Sequence, residues 1–282
     1  MENEVLVMKK LFCILLAVMM LMLCVSCGGG GKKDRLATIK EKGVLSVATE
    51  PYFAPNEFID PTKPEGEQIV GLDIELAKYI ADKIGVKLEI VPLEFTAVQA
   101  GVAEGKYDLA ISALAYSPTR AEAMNLSNVY QASNTGYGFL CRAEDKDKYT
   151  SIESLENAVV VTQSGSVQEG LYKDNVKKCK EFKLVSSMTD GYLAVSEGKA
   201  DVCITAISSG DLYAEANPGL ATTSYRFDID PNQNGVVVAA PPEGTDSLIE
   251  VVNQCIKELN DKGQIEAWQE EFKAYATKLG IE

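Results

Sequence analysis

Between Asp108 and Glu122 the chain reads D-L-A-I-S-A-L-A-Y-S-P-T-R-A-E, and its arginine stands where a carboxylate receptor would place one. Ser117 can cap a helix with Pro118 at the first helical position, and Thr119 with Glu122 offers an overlapping capping box. Arg120 then falls in the first turn. A cation there opposes the positive end of the helix dipole, at a cost of a few tenths of a kcal/mol. An anion beside it reverses that sign. Free backbone N–H groups at a helix start plus a planar guanidinium suit a carboxylate bound in bidentate fashion. A surface pair with Glu122 or a neighbouring acid is the alternative these residues leave open.

Other chemistries are excluded by composition. The chain has no histidine, which removes Ser-His and Cys-His catalysis and the commonest metal ligand. Cys141, Cys179, Cys203 and Cys255 show no metal spacing and suit buried thiols or at most one disulfide. No cofactor or metal is implied. The formal net charge of −14 argues against nucleic acid or anionic lipid as a partner.

The elements that must position Arg120 follow a leader. Lys9 and Lys10 precede an apolar run from Leu11 to Val25, and L-C-V-S-C-G-G-G-G follows. This pattern is a secretory signal, residues 1–26, ending at a lipoprotein-type site with Ser26 before Cys27. Cys27 is expected to become the lipidated N-terminus, with 27–34 a flexible tether, so that the protein is extracytoplasmic and membrane-anchored. An ordinary membrane anchor is disfavoured because the 15 apolar residues fall short of a span of roughly 20.

The body alternates strands and helices. Gly43–Thr49 reads as a strand, and Val86, Leu88 and Ile90 alternate with charged residues in a half-exposed one. Between them Leu72, Leu76, Ile80 and Ile84 share one helix face, which makes a βαβ unit. Thr96–Glu104 is a helix leading into the buried run Leu109–Ile111. After Tyr130 the alternation begins afresh: strand Tyr137–Cys141, helix Ile152–Glu156, strand Ala158–Thr162, a helix from Ser166, strand Lys183–Ser186, helix Gly191–Glu197, strand Ala200–Thr205 and helix Ser209–Ala216. Strand Gly235–Ala240 and two helices follow, the first opened by a Ser247/Glu250 capping box. Two α/β lobes are implied.

The runs T-E-P-Y-F-A-P-N-E-F, G-L-D-I-E-L-A-K-Y-I-A, E-G-K-Y-D-L-A-I-S-A-L-A-Y-S-P-T-R, Q-S-G-S and G-K-A-D, in order from about residue 35 to 282, resemble the family 3 extracellular solute-binding proteins. These are the polar-amino-acid receptors of ABC importers. The resemblance implies a type II periplasmic-binding-protein fold, α/β and two-lobed, each lobe a mixed sheet flanked by helices, joined by a two-strand hinge. Lobe one comprises 35–132 and 231–282, and lobe two 133–230, with crossings near Tyr130–Thr135 and Phe227–Gln233. It implies a monomer that captures an amino acid or related small carboxylate in the interlobe cleft and delivers it to an ABC permease.

Carried over by position, the resemblance places the carboxylate-binding arginine on Arg120, an acid at the ligand's polar end on Glu50, cleft walls on Phe53 and Phe95, and the polar patch on Ser112 and Ala113. Gln163 and Ser166 fall in a loop whose backbone N–H groups meet the carboxylate from lobe two. The chain departs from the family pattern at Ala115 and Val167, where hydroxyls are usual, and at Ala206, where an aspartate normally holds the α-ammonium. That leaves Glu50 or Asp211 for the ammonium, or a ligand without one; the expectation is Glu50 and an amino acid. Asp60 and Glu57, later in the same loop, are expected to face water. The alternative is a dehydratase of cyclic acids on the same fold, with Glu50 or Glu57 as general acid.

Overall fold

The computed structural model describes residues 33–132, 135–229 and 235–281; the leader, Cys27 and parts of both expected crossings lie outside the described residues. Asp34–Glu282 form one compact unit. In chain order it contains α1 (Arg35–Lys42), β1 (Val44–Thr49), β2 (Tyr52–Phe53), β3 (Glu57–Ile59), β4 (Ile69–Val70), α2 (Leu72–Ile84), β5 (Lys87–Pro92), α3 (Phe95–Ala103), β6 (Leu109–Ala110), α4 (Pro118–Ala123), β7 (Asn125–Leu126) and β8 (Gln131–Ala132). Next come β9 (Tyr137–Arg142), β10 (Val159–Gln163), α5 (Val167–Asn175), β11 (Glu181–Val185), α6 (Met188–Ser196), β12 (Val202–Ala206), α7 (Ile207–Ala216) and β13 (Leu220–Arg226). The last are β14 (Gly235–Val236), β15 (Ala239–Ala240), α8 (Asp246–Asp261) and α9 (Gln264–Leu279).

Two mixed five-stranded sheets run β5-β1-β6-β15-β7 and β11-β10-β12-β9-β13. Each has a parallel core, β1 flanked by β5 and β6 and β10 flanked by β11 and β12, extended by antiparallel strands. Near-continuous apolar runs such as Val159–Val161 in β10 explain why the central strands are covered on both faces. Leu45, Val47, Leu109 and Ile111 pack with Leu76, Ile80, Val252 and Phe272 on one face of the first sheet, while Ala48 and Ala110 pack with Phe95, Val98 and Leu114 on the other. In the second sheet Phe139, Val160 and Ile204 point one way, and Leu140, Val161 and Cys203 the other. The chain passes between the sheets next to β8 and β14, which pair antiparallel with Ala132 opposite Gly235.

Three local readings are corrected. The expected strand Gly235–Ala240 is two short strands, because Val237 N–H turns to the Leu114 carbonyl at 2.9 Å and Val238 N–H to Ser127 Oγ at 2.9 Å, so the segment changes partners midway. Residues Ile152–Glu156 hold only a 3₁₀ turn, Glu153–Leu155, beside a Ser154 hydroxyl that donates to the Ser151 carbonyl and competes with helical bonding. Ser247 caps nothing. Helix α8 begins after Thr245, and the Ser247 hydroxyl donates to Asp34 Oδ1, which ties down the start of the chain. All four cysteines in the described residues are free thiols.

The loop that carries the cleft acids is pinned at Gly71. Its φ is +134°, and a Cβ built there would lie 2.1 Å from the Asn56 carbonyl oxygen. This close approach lets Leu72 N–H donate to Pro55 O at 3.2 Å and Asp73 N–H to Asn56 O at 2.9 Å, which satisfies the α2 N-terminus without a side-chain cap. Gly71→Ala combines overpacking with a disfavoured φ and is expected to cost about 3 kcal/mol or more in urea unfolding. A loss below about 1 kcal/mol would show that the contact is not a constraint.

Candidate ligand-binding site

Glu50, Phe53, Phe95, Ser112, Ala113, Ala115, Arg120, Gln163, Ser166, Val167 and Ala206 all line one cleft of about 290 Å³. It opens at the carboxyl ends of parallel strands from both sheets: Glu50 follows β1, Ser112 follows β6, and Gln163 and Ala206 end β10 and β12. Glu57, named in the sequence only as an alternative general acid, lines it too, and so do Asn56, Gln131, Tyr137, Gln168 and Met188, which were not singled out.

Arg120 is 7% exposed. The Ser117 hydroxyl accepts from its backbone N–H at 3.3 Å, with Pro118 at the first helical position, as its neighbours in sequence require. The guanidinium donates from Nε to Gln99 Oε1 at 2.9 Å, from Nη1 to the Ala115 carbonyl, and from Nη2 to the Gly165 carbonyl at 2.9 Å. Its carbon sits 5.5 Å from the Phe95 ring centroid. Each terminal nitrogen keeps a second N–H. Among the described residues no carboxylate pairs with Arg120, and burial lowers its pKa to about 10. The Glu122 pairing left open by the sequence is absent. The guanidinium is therefore a locked, desolvated cation with donors to spare.

The second sheet's loop faces it. The Ser166 hydroxyl donates to the Gln163 carbonyl at 2.7 Å and accepts from Glu169 N–H at 3.1 Å, so it is spent on capping α5. The N–H groups of Val167 and Gln168, in the first turn of α5, have no intrahelical acceptor. Gly165, at φ +72°, lets this loop approach α3 so closely that a Cβ there would stand 3.0 Å from Thr96 Cγ2.

At the acidic end the structure corrects two expectations. Glu57 is 1% exposed and Asp60 is fully buried; neither faces water. Asp60 accepts from the Thr62 and Tyr275 hydroxyls away from the cleft. Glu57 is turned inward because β3 pairs with both β2 and β4 and its carboxylate accepts from the Ser112 hydroxyl at 3.3 Å. The same hydroxyl accepts Glu50 N–H at 2.9 Å, which brings the two acids to one place. Glu50 is 3% exposed, and neither its Oε1 nor Glu57 Oε2 has a hydrogen-bond partner among the described residues. Asp211 accepts from Thr222 on the surface and does not line the cleft, so it is no candidate for an ammonium there.

Burial pushes the Glu50 carboxyl up to about 8, against a hydrogen bond from Gln163 and with help from the negative charges of Asp190 and Glu94. Glu57 is raised well above the carboxylate range by burial, then by Asp73 and Glu50. No group of three or more metal-ligating side chains exists among the described residues, and no helix there is long and apolar enough to cross a membrane.

The sequence pattern of the bacterial extracellular solute-binding proteins, family 3, matches residues 45–274. The chain belongs to this family. An amino-acid ABC transporter substrate-binding protein from Streptococcus pneumoniae, solved bound to L-arginine, is 32% identical with a TM-score of 0.79, over 86% of this chain and 98% of that one. The arginine-binding extracellular protein ArtP of Bacillus subtilis is 25% identical over 92% of this chain and 96% of its own. A cyclohexadienyl dehydratase of Pseudomonas aeruginosa matches a shorter stretch, 72% of this chain, at 25% identity. The chain has the two-lobed periplasmic-binding-protein fold of these solute-binding proteins.

A raised folded-state pKa on an acid means that its contribution to stability is complete below the ordinary carboxylate range and is lost as pH rises through about 8. Glu50→Gln removes that loss. In the ligand-free protein the variant's stability relative to the parent is expected to improve from about pH 5 to about pH 8 and to level off above that, read by urea midpoints. A gap independent of pH would mean that Glu50 is already ionised.

Proposed function

We propose that the chain is the substrate-binding component of an ABC importer and captures an amino acid between its two lobes. The observation that carries this reading is Arg120: a buried guanidinium with free donors and no acid beside it. Leaving such a charge unpaired costs several kcal/mol, and a ligand carboxylate removes that cost. The α5 N–H groups face the same end from the other lobe. Lobe one is 35–132 with 231–282 and lobe two is 133–230, the β8 and β14 crossings acting as the hinge. Phe53, Phe95 and Val167 form apolar walls, and Ser112 orients the acids. A monomer, anchored to the membrane through lipidated Cys27, presents its closed form to the permease. That one relative is an arginine-binding protein and another was solved bound to L-arginine supports an amino acid as cargo.

A thermal-shift panel of amino acids tests this, since a ligand at 100 times its dissociation constant stabilises by about 2.7 kcal/mol. No shift with any amino acid would overturn it. Arg120→Ala is expected to weaken the ligand so found by about 3 kcal/mol, more than a hundredfold, in calorimetry. Affinity within threefold of the parent would remove Arg120 from the site. Cys27→Ser is expected to move the protein from the membrane to the soluble fraction.

A further inference from the structure

The charges in the cleft are laid out in two separate places. The cationic place is Arg120, and the ionisable group that acts on it is Tyr137. The acidic place is Glu50 and Glu57, bridged by Ser112. The charged groups acting on Glu50 are Asp190, from α6 of the second sheet, and Glu94, at the start of α3; those acting on Glu57 are Asp73 and Glu50. Arg120 is among neither set. Negative charge thus converges on one end from both sheets, and each of the two acids there keeps a buried oxygen that accepts no hydrogen bond among the described residues.

An α-ammonium is fixed ~2.5 Å from its own carboxylate carbon. When the carboxylate is on Arg120, the α-ammonium stays at that end. The side chains lining the cleft apart from the two acids and Arg120 are neutral, among them Tyr137, Thr135, Ser208, Ser209 and Ala206. No acid there meets the α-ammonium.

We infer that Glu50 and Glu57 form a subsite for a distal cation, so that the preferred ligand is an ω-guanidino or ω-amino carboxylic acid whose α-amino group is dispensable. This rests on the receptor reading above and adds which charge on the ligand is recognised. Apolar walls between the ends cover the methylene chain, and selection is by the separation of the two charges.

The experiment is calorimetry with three probes: L-arginine, 5-guanidinopentanoate, which lacks only the α-amino group, and L-citrulline, which keeps it and loses the distal charge. Removing the distal charge is expected to cost at least tenfold more affinity than removing the α-amino group. Equal or reversed costs overturn the inference. Glu50→Gln and Glu57→Gln, which keep shape, are expected to lower affinity for arginine while leaving citrulline unchanged, an effect that misfolding would not give; equal losses for both ligands overturn the inference too. If neutral amino acids such as glutamine bind and neither guanidino acid does, the receptor reading stands and the distal-cation subsite falls. If no probe or amino acid binds, both fall.

Discussion

The cleft depends on one buried carboxylate. Asp73, in the first turn of α2 and fully buried, accepts the Asn56 side-chain amide at 3.1 Å, the Tyr130 hydroxyl at 2.8 Å and the Ala113 N–H at 2.7 Å. Those donors come from the loop before β3, the chain leading into β8, and the loop after β6. A charged acceptor makes each such bond worth about 1.5 to 3 kcal/mol. Ala113 shows the result: its φ of +43° is a conformation that alanine holds only under constraint, and the Asp73 bond is that constraint. Ala113 in turn follows Ser112, whose hydroxyl organises both cleft acids. Burial raises Glu57 first, and the like charge of Asp73 adds to that shift, so the group that shapes the cleft floor also disfavours charge on its neighbour.

The same hub reaches the crossing strands. Asn56 donates both to Asp73 and to Gln131 Oε1 at 2.8 Å, and Gln131 lies in β8. Directly across the cleft the two sheets are held by weak ties: Arg120 and Gln99 donate to the Gly165 carbonyl, and Thr189 donates to the Tyr52 carbonyl at 3.2 Å. A long surface pair, Lys273 to Glu215 at 4.0 Å, adds little. The neutral bonds contribute about 1 kcal/mol each and the one from the Arg120 guanidinium about 1.5 to 3 kcal/mol. Their sum is comparable to what a ligand at working concentration contributes, so occupancy of the cleft can tip the balance between separated and apposed lobes.

What could be read in the sequence was local. The cap at Ser117–Pro118, the alternation of Val86, Leu88 and Ile90 with charged residues and the apolar run Leu109–Ile111 depend on a few neighbouring residues, and they gave the helix start under Arg120 and strands of the first sheet. The inward turn of Glu57 depends on β3 pairing with β4 and on Gly71 lying against Asn56, contacts between segments more than ten residues apart. A loop of charged residues therefore read as solvated. Ser247 failed as a cap for the same reason: its partner, Asp34, lies at the other end of the fold. Ser166 kept its predicted place, but its hydroxyl serves the helix, a competition that spacing does not reveal.

Neutral acids make the cleft tolerable when it holds no cation. An ionised carboxylate away from water costs several kcal/mol, whereas a protonated one costs far less. With Glu50 pushed up to about 8 and Glu57 raised well above its ordinary value by burial, the acidic end favours its neutral form at neutral pH, and the fold carries only a modest penalty for burying it. A cation entering that end stabilises the ionised form and lowers the pKa of its partner. Ionisation and occupancy then proceed together, with a proton released to solvent. The formal charge of −14 acts in the same direction at longer range, drawing cations toward the surface before the cleft sorts them. Neutral and anionic solutes receive neither the attraction nor the ionised partner, so discrimination comes from groups that carry charge only when the matching ligand is present.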